Sequence, residues 1–171
     1  MNHLIQAITN FDQRLFLSVN QFQSVKLNRM IQLITKLGGL AFQSLLVVTL
    51  LIFPTSRGLG MKLAIAQIVT LIVVQLLKLM VARVRPYHAL AGIIPFKMEK
   101  DYSFPSGHTA SSFATALILS TSFPAAGVLC LGVASLIGYS RIYIRVHYPL
   151  DVIAGCLIGL GATTLLMIGL F

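Results

Sequence analysis

The sequence predicts an all-α integral membrane bundle of five to six transmembrane helices, preceded by an N-terminal amphipathic helix. Three observations predict it. Hydrophobic residues make up 57% of the 171 positions and charged residues only 10%, where soluble domains carry about 25% charged residues. Mean hydropathy is +0.88. Charge-free stretches of spanning length recur along the chain, separated by short polar connections.

The elements follow in order, in two parts: residues 1–27 as an amphipathic helix and connector, and residues 28–171 as the membrane-embedded domain. In residues 1–22, Leu4, Ile5, Ile8, Phe11, Leu15, Val19 and Phe22 recur at three- and four-residue spacing, with Gln6, Asp12, Gln13, Arg14 and Gln21 on the other side. That pattern predicts a helix lying in the membrane interface. Residues 20–29 read as a polar connector. Residues 37–56 carry no charge and are long enough to span. Pro54, Gly58 and Gly60 then mark a turn. The next apolar run, 63–77, is short, so its helix is expected to continue past Lys78 toward Arg83. Residues 84–104 form a polar stretch. Residues 102–140 hold no Asp, Glu, Lys or Arg and are too long for one span. Pro124 and Gly127 divide them into spans at about 106–122 and 125–140. Residues 141–148 make a second polar connection, and 152–171 the last span.

Composition narrows the partners. The chain has 13 basic and 4 acidic residues, a net charge of +9. The basic residues border hydrophobic spans, which suits an anionic lipid surface. A nucleic-acid binder would instead carry a soluble basic face with interleaved aromatics, so no nucleic acid is expected. Cys130 and Cys156 sit inside apolar runs and read as small buried hydrophobes; two isolated cysteines make neither a disulfide framework nor a zinc site. The N-terminus lacks the basic, apolar and small-residue regions of a signal peptide. His3 and His88 have no charged company and read as ordinary polar positions.

Three polar blocks remain. Lys78 and Arg85 stand seven residues apart and face the same way if the helix persists, with Arg83 pointing elsewhere. By themselves they could simply anchor a helix end by snorkelling. Ser106, Gly107 and His108 open a helix after Pro105. Serine caps a helix, glycine lets a ligand approach the backbone, and the first N–H groups of a helix attract anions. His147 and Asp151 are four apart at the start of the final helix, where Pro149 suits the first turn. At that spacing a carboxylate can accept the imidazole N–H and fix its tautomer. Counting crossings puts all three blocks, with Arg141, on one side of the bilayer. The cations suit a phosphate, and arginine can fork onto two of its oxygens. Two histidines can divide the nucleophile and acid/base roles, and the carboxylate partner favours His147 as nucleophile. His108, His147 and Asp151 could in principle ligate a metal. Three fixed cations leading into the same site, Lys78, Arg85 and Arg141, would repel one, so neither metal nor cofactor is expected.

Lys-x6-Arg-Pro, Pro-Ser-Gly-His and Ser-Arg-x5-His-x3-Asp, in this order, resemble the type-2 phosphatidic acid phosphatase superfamily. The resemblance runs over about residues 28–171, with no departure at the motif positions. It implies a metal-independent phosphohydrolase with a helical core. Carried over position by position, His147 attacks phosphorus and forms a phosphohistidine, and Asp151 orients it. His108 protonates the leaving group and then activates water. Lys78, Arg85, Arg141, Ser106 and the Gly107 N–H hold the phosphoryl oxygens.

A site at a bilayer edge without a soluble domain implies a lipid substrate. Small bacterial members of the family act on phosphatidylglycerophosphate, phosphatidic acid or undecaprenyl diphosphate, and no residue separates glycerolipid from prenyl lipid here. The resemblance implies a multi-pass protein of the cytoplasmic membrane with its site on the extracytoplasmic face. Arg83, Lys97, Lys100 and Arg145 pull that face toward the cytoplasm by the positive-inside rule, and Arg57 and Lys62 pull the other way. The alternative from a different class is a non-enzymatic phospholipid-binding or lipid-carrier protein, which would need the cations but not His147 paired with Asp151.

Overall fold

The computed structural model describes residues 2–21 and 23–170. The expectations that fall on Met1, Phe22 and Phe171 lie outside the described residues. Among the described residues there are eight α-helices, two single-turn 3-10 helices and no strand.

α1, Asn2–Val19, leaves Leu4, Ile5, Ile8, Phe11 and Leu15 exposed, an apolar outer face on an amphipathic helix. Two of its residues face the bundle instead. Phe16 is wholly buried against Ile142 and Tyr148, and Asp12 is wholly buried too. The sequence pattern assigned Asp12 to the polar outer side; an ion pair described below reverses that. α2, Val25–Leu37, starts inside the stretch expected to be a connector and runs unbroken through residues 27 and 28.

The first expected span, 37–56, is not one helix. α2 stops at Gly38, α3 runs Leu40–Ile52, and the two are bent by 48°. The reason is close approach. A Cβ on Gly38 would stand 2.6 Å from Ile137 Cγ2 and 3.1 Å from the His108 carbonyl oxygen. The glycine pair brings the chain against the start of the His108 helix at the point where it turns.

α4, Arg57–Val81, follows a 3-10 turn at Pro54–Ser56. It ends at Ala82, which adopts a left-handed conformation with φ 48° and donates its N–H to the Lys78 carbonyl. The helix therefore stops short of Arg83 and does not persist to Arg85. A short helix, α5 (Pro86–Ala89), opens the polar stretch. α6, Gly107–Ser122, matches the expected third span. α7, Gly127–Tyr143, runs three residues beyond the expected end, so Arg141 sits in its last turn rather than in a loop. α8 is Pro149–Gly169.

α6 is the central helix, packed on α4, α7 and α8. Its small buried residues, Ala110, Ala114, Ala116, Thr109 and Ser112, let neighbours approach closely. Gly155 and Gly159 of α8 meet it backbone to backbone: a Cβ on Gly159 would lie 2.2 Å from the Ala110 carbonyl oxygen. Among the described residues, three helices can cross a membrane alone by length and composition, and four if the bent α2–α3 pair is one span. α6, with 16 residues, is about 24 Å long and falls short of that length while sitting inside the bundle.

Candidate active site

A cavity of about 640 Å³ opens among α3, α4, α6 and the loops around them. Lys78, Arg85, Gly107, His108, Arg141 and His147 line its polar end. Ser106 and Asp151, both wholly buried, do not line it and stand behind its wall.

Each side chain is placed by local structure. Lys78 lies in the last turn of α4, 4% exposed, and donates to the Tyr102 carbonyl oxygen at 2.6 Å. Arg85 arrives by a different route from the one expected. The chain leaves α4 through the left-handed Ala82 and becomes extended at Arg85. Arg85 then donates to the Val146 carbonyl at 2.7 Å and to the Asp101 carbonyl at 2.8 Å. The two cations meet on one carboxylate, Asp101, with Lys78 Nζ at 2.8 Å and Arg85 Nη2 at 2.5 Å. Arg141 donates to Glu99 at 2.8 Å and to Thr35 at 3.0 Å. Its Nε is buried and has no hydrogen-bond partner.

Ser106 caps α6. Its hydroxyl accepts from Thr109 Oγ1 at 2.9 Å and, at the long limit of 3.5 Å, from the Thr109 N–H. Its own N–H donates to the Asp151 carbonyl oxygen at 3.0 Å, tying the start of α6 to the start of α8. The Gly107 N–H is thereby left at a helix N-terminus facing the cavity, where partial positive charge favours an anion. The His108 ring reaches the Gly38–Gly39 break: a Cβ on Gly39 would be 3.5 Å from His108 Nε2.

His147 precedes α8 instead of sharing a helical face with Asp151, because the helix begins at Pro149. The turn after α7 fixes it, its N–H donating to the Arg141 carbonyl at 3.2 Å. Nδ1 faces Asp151 Oδ2 at 3.5 Å and Nε2 faces Arg85 Nη1 at 3.4 Å. At 3.5 Å the Nδ1 contact is too long for ordinary hydrogen-bond geometry, and Nδ1 has no other partner. Contacts of this kind are commonly long before substrate binds. With the proton on Nδ1, toward the carboxylate, the Nε2 lone pair faces the cations. Burial pushes the imidazole pKa down to about 4, helped by Arg141 and Arg85 and opposed by Asp151. His147 is therefore neutral at pH 7.

Asp151 is held from several directions. Oδ2 accepts from Ser103 Oγ and from the Tyr148 N–H at 2.9 Å, and Oδ1 accepts from Arg83 Nη1 at 2.6 Å. Arg83, expected to point away, does diverge from Lys78 and Arg85 but lands on the far side of the same carboxylate.

Sequence reasoning missed Asp12, Arg83, Glu99, Asp101 and Ser103. One signal was readable: a chain with 4 carboxylates in a membrane domain must pair them, and all four are in ion pairs with Lys78, Arg83, Arg85 or Arg141. Among the described residues no three of His, Cys, Asp and Glu are grouped as metal ligands.

Fold and site together define a helical membrane protein whose cavity sets three cations around a carboxylate-backed imidazole. Residues 59–171 match the family model of the PAP2 superfamily. The chain is 34% identical over 152 residues to a protein of Sulfolobus acidocaldarius named undecaprenyl-diphosphatase, covering 87% of this chain and 73% of that one. It is similar in structure to Aquifex aeolicus LpxE, with a TM-score of 0.83, 30% identity and coverage of 90% and 93%. The fold is shared with a transmembrane PAP2-type phosphatidylglycerolphosphate phosphatase of Bacillus subtilis, with a TM-score of 0.81, 24% identity and coverage of 94% and 85%. The chain belongs to the PAP2 superfamily, among its membrane lipid phosphatases, and is a hydrolase of that class.

Proposed function

We propose that this phosphatase removes the terminal phosphate of a polyprenyl diphosphate through a phosphohistidine on His147. The observation that carries the lipid reading is the shape of the cavity. Its polar end holds Lys78, Arg85, Arg141 and His147, and the same cavity continues along α3 and α4 past Val47, Val48, Ala64, Ile68 and Leu71. Leu40, Val48, Ile68 and Leu71 are each about half exposed or more, so the apolar end opens toward the bilayer. A headgroup at the cations can therefore keep its chain in an apolar slot. The name of the archaeal relative supports a prenyl diphosphate over a glycerolipid.

In this reading Lys78, Arg85, Arg141 and the Gly107 N–H bind the phosphoryl oxygens and stabilise the charge that spreads over them in the transition state. Ser106 holds the turn that presents Gly107. His147 Nε2 attacks the terminal phosphorus and the P–O bond to the lipid phosphate breaks. His108, protonated in the complex by a proton carried in with the substrate phosphate, gives that proton to the leaving oxygen. It then takes a proton from water, whose oxygen attacks the phosphohistidine, releasing inorganic phosphate and neutral His147. Asp151 steadies the imidazole as positive charge develops on it. The site lies on the extracytoplasmic face in this proposal, as the family resemblance implies, against the pull of Arg83, Lys97, Lys100 and Arg145 toward the cytoplasm.

The test is phosphate release by detergent-solubilised protein in EDTA, with undecaprenyl diphosphate and phosphatidylglycerophosphate compared and His147→Ala as control. The expected result is release from the prenyl lipid that persists in EDTA and vanishes in the variant. Turnover by His147→Ala overturns the nucleophile; loss in EDTA restored by a divalent ion overturns the metal-free route. Preference for phosphatidylglycerophosphate overturns the substrate.

A further inference from the structure

Asp12 is wholly buried on a helix most of whose apolar residues, Phe16 excepted, are exposed. An unpaired buried carboxylate costs several kcal/mol, so such a residue is retained only with partners. Its partners are specific. Oδ1 accepts from the Leu150 N–H, in the first turn of α8, at 2.9 Å. Oδ2 accepts from Arg83 Nη2 at 2.6 Å. The other arm of the same guanidinium, Nη1, donates to Asp151 Oδ1 at 2.6 Å. One arginine thus forks between a carboxylate of α1 and the carboxylate that backs His147.

We infer that Arg83 and Asp12 are positioning residues for the His147–Asp151 pair, with α1 holding Arg83 and Arg83 holding the Asp151 carboxylate. The inference rests on the reading of His147 as nucleophile. Geometry gives the mechanism. The Asp151 carboxyl group can turn about its Cβ–Cγ bond. Arg83 pins Oδ1, and that fixes where Oδ2 stands relative to His147 Nδ1. Arg83 is itself confined. Its guanidinium carbon lies 4.1 Å from the centroid of the Tyr148 ring, and Phe16 of α1 packs edge-on to that ring at 5.5 Å. Its carbonyl accepts from the Ser103 N–H at 2.8 Å, while Ser103 Oγ donates to Asp151 Oδ2. Neither Arg83 nor Asp12 lines the cavity. They act through Asp151 and not on the substrate. Asp12 has a second effect: its negative charge offsets Arg83, so that the guanidinium does not cancel the charge Asp151 offers to the imidazolium.

The discriminating experiment uses the full chain in detergent and a short-chain, water-soluble prenyl diphosphate, so that lipid docking by α1 plays no part. Arg83→Gln, Arg83→Lys, Asp12→Asn and the Arg83→Gln/Asp12→Asn double variant are compared for kcat, KM and inhibition by inorganic phosphate. Arg83→Gln is expected to lower kcat on the order of 100-fold, the scale of a misplaced catalytic group. KM and phosphate inhibition stay within about twofold, since Lys78, Arg85 and Arg141 are untouched. Arg83→Lys keeps the charge without the fork and falls between. Asp12→Asn lowers kcat less, and adds nothing in the Arg83→Gln background, because it acts through Arg83. Full kcat in Arg83→Gln, or in Asp12→Asn should Arg83→Gln fail to fold, overturns the inference. So does a rise in KM and loss of phosphate inhibition at constant kcat, which would make Arg83 a ligand contact. Wild-type turnover with inert His147→Ala keeps the nucleophile standing whatever the Arg83 variants do; an active His147→Ala removes it first.

Discussion

At the scale of single residues, the site is a set of cations that already have anions. Asp101 carries the clearest consequence. Burial alone would raise its carboxyl pKa, but the hydrogen bond and charge of Lys78, then those of Arg85, hold it down at about 2. Asp101 therefore stays ionised on Lys78 and Arg85 and, in the proposed mechanism, competes with the phosphoryl group for them. Asp101→Asn should tighten inhibition by inorganic phosphate up to about fivefold, the worth of a half-exposed pair, and slow product release. Weaker inhibition would mean that Asp101 orients Lys78 and Arg85 more than it blocks them. His147 gives a prediction about stability. Its unfolded pKa is near 6.5 and its folded value about 4. Below pH 6.5 the unfolded chain takes up a proton that the folded chain refuses. Stability is then lost as pH falls from 6.5 toward 4, with a slope of at most about 1.4 kcal/mol per pH unit from this one group. His147→Gln should lack that component, and thermal unfolding across pH 4–7 measures it; parallel profiles for the two proteins would show His147 to be solvated rather than buried.

At the scale of elements, the two halves of the site are set by how closely α8 lies on α6. Ser106, Gly107 and His108 come from the start of α6, Asp151 from the first turn of α8, and His147 from the turn just before it. Gly159→Ala would bring a Cβ to 2.2 Å from the Ala110 carbonyl oxygen and 3.1 Å from the Ala114 nitrogen. Those are backbone atoms of a helix and cannot move aside cheaply. The variant should lose about 1–3 kcal/mol and most of its turnover. Gly161→Ala on the same helix meets nothing within 4 Å and should keep both; equal behaviour of the two variants would show that helix propensity, not contact, decides. Gly155 and Gly159 form a Gly-x3-Gly repeat that the sequence displays, a close-packing signal inside an apolar helix. The spans at α6 and α8 were legible because prolines, glycines and charge-free runs mark them. The break at Gly38 was not, since apolar residues flank it on both sides and its cause, the approach of Ile137 and His108, is tertiary. The site divides the same way. The motif residues were legible because polar groups are rare in this chain. Asp12 and Arg83 were not, because local periodicity put the first outside and an assumed helical register turned the second away.

At the scale of the whole molecule, the charge pattern and the cavity are one design. The four carboxylates pair with cations at the polar end of the cavity or behind its wall, and the lining along α3 and α4 is mostly apolar with Gln43, Ser44, Gln67, Thr70 and Gln75 interspersed. Gln67 donates to Gln43 Oε1 at 3.0 Å and to Thr115 Oγ1 at 2.6 Å. In the proposed reading a lipid chain leaving the cations runs between α3 and α4, past Ala64. Ala64 is half-buried, and a phenyl ring there would fill part of the slot while leaving Lys78, Arg85, Arg141 and His147 untouched. Ala64→Phe should lower kcat/KM for undecaprenyl diphosphate on the order of tenfold, the loss of about 1.4 kcal/mol of chain burial. Turnover of a short, water-soluble prenyl diphosphate by the same preparation should hold within about twofold, because its chain ends before Ala64; the ratio of the two rates also cancels any loss of folded protein. Equal loss on both substrates would mean that the ring disturbs the phosphate site itself. Full activity on both would mean that the lipid chain leaves by another face of the bundle, and that the apolar wall along α3 and α4 is not its path.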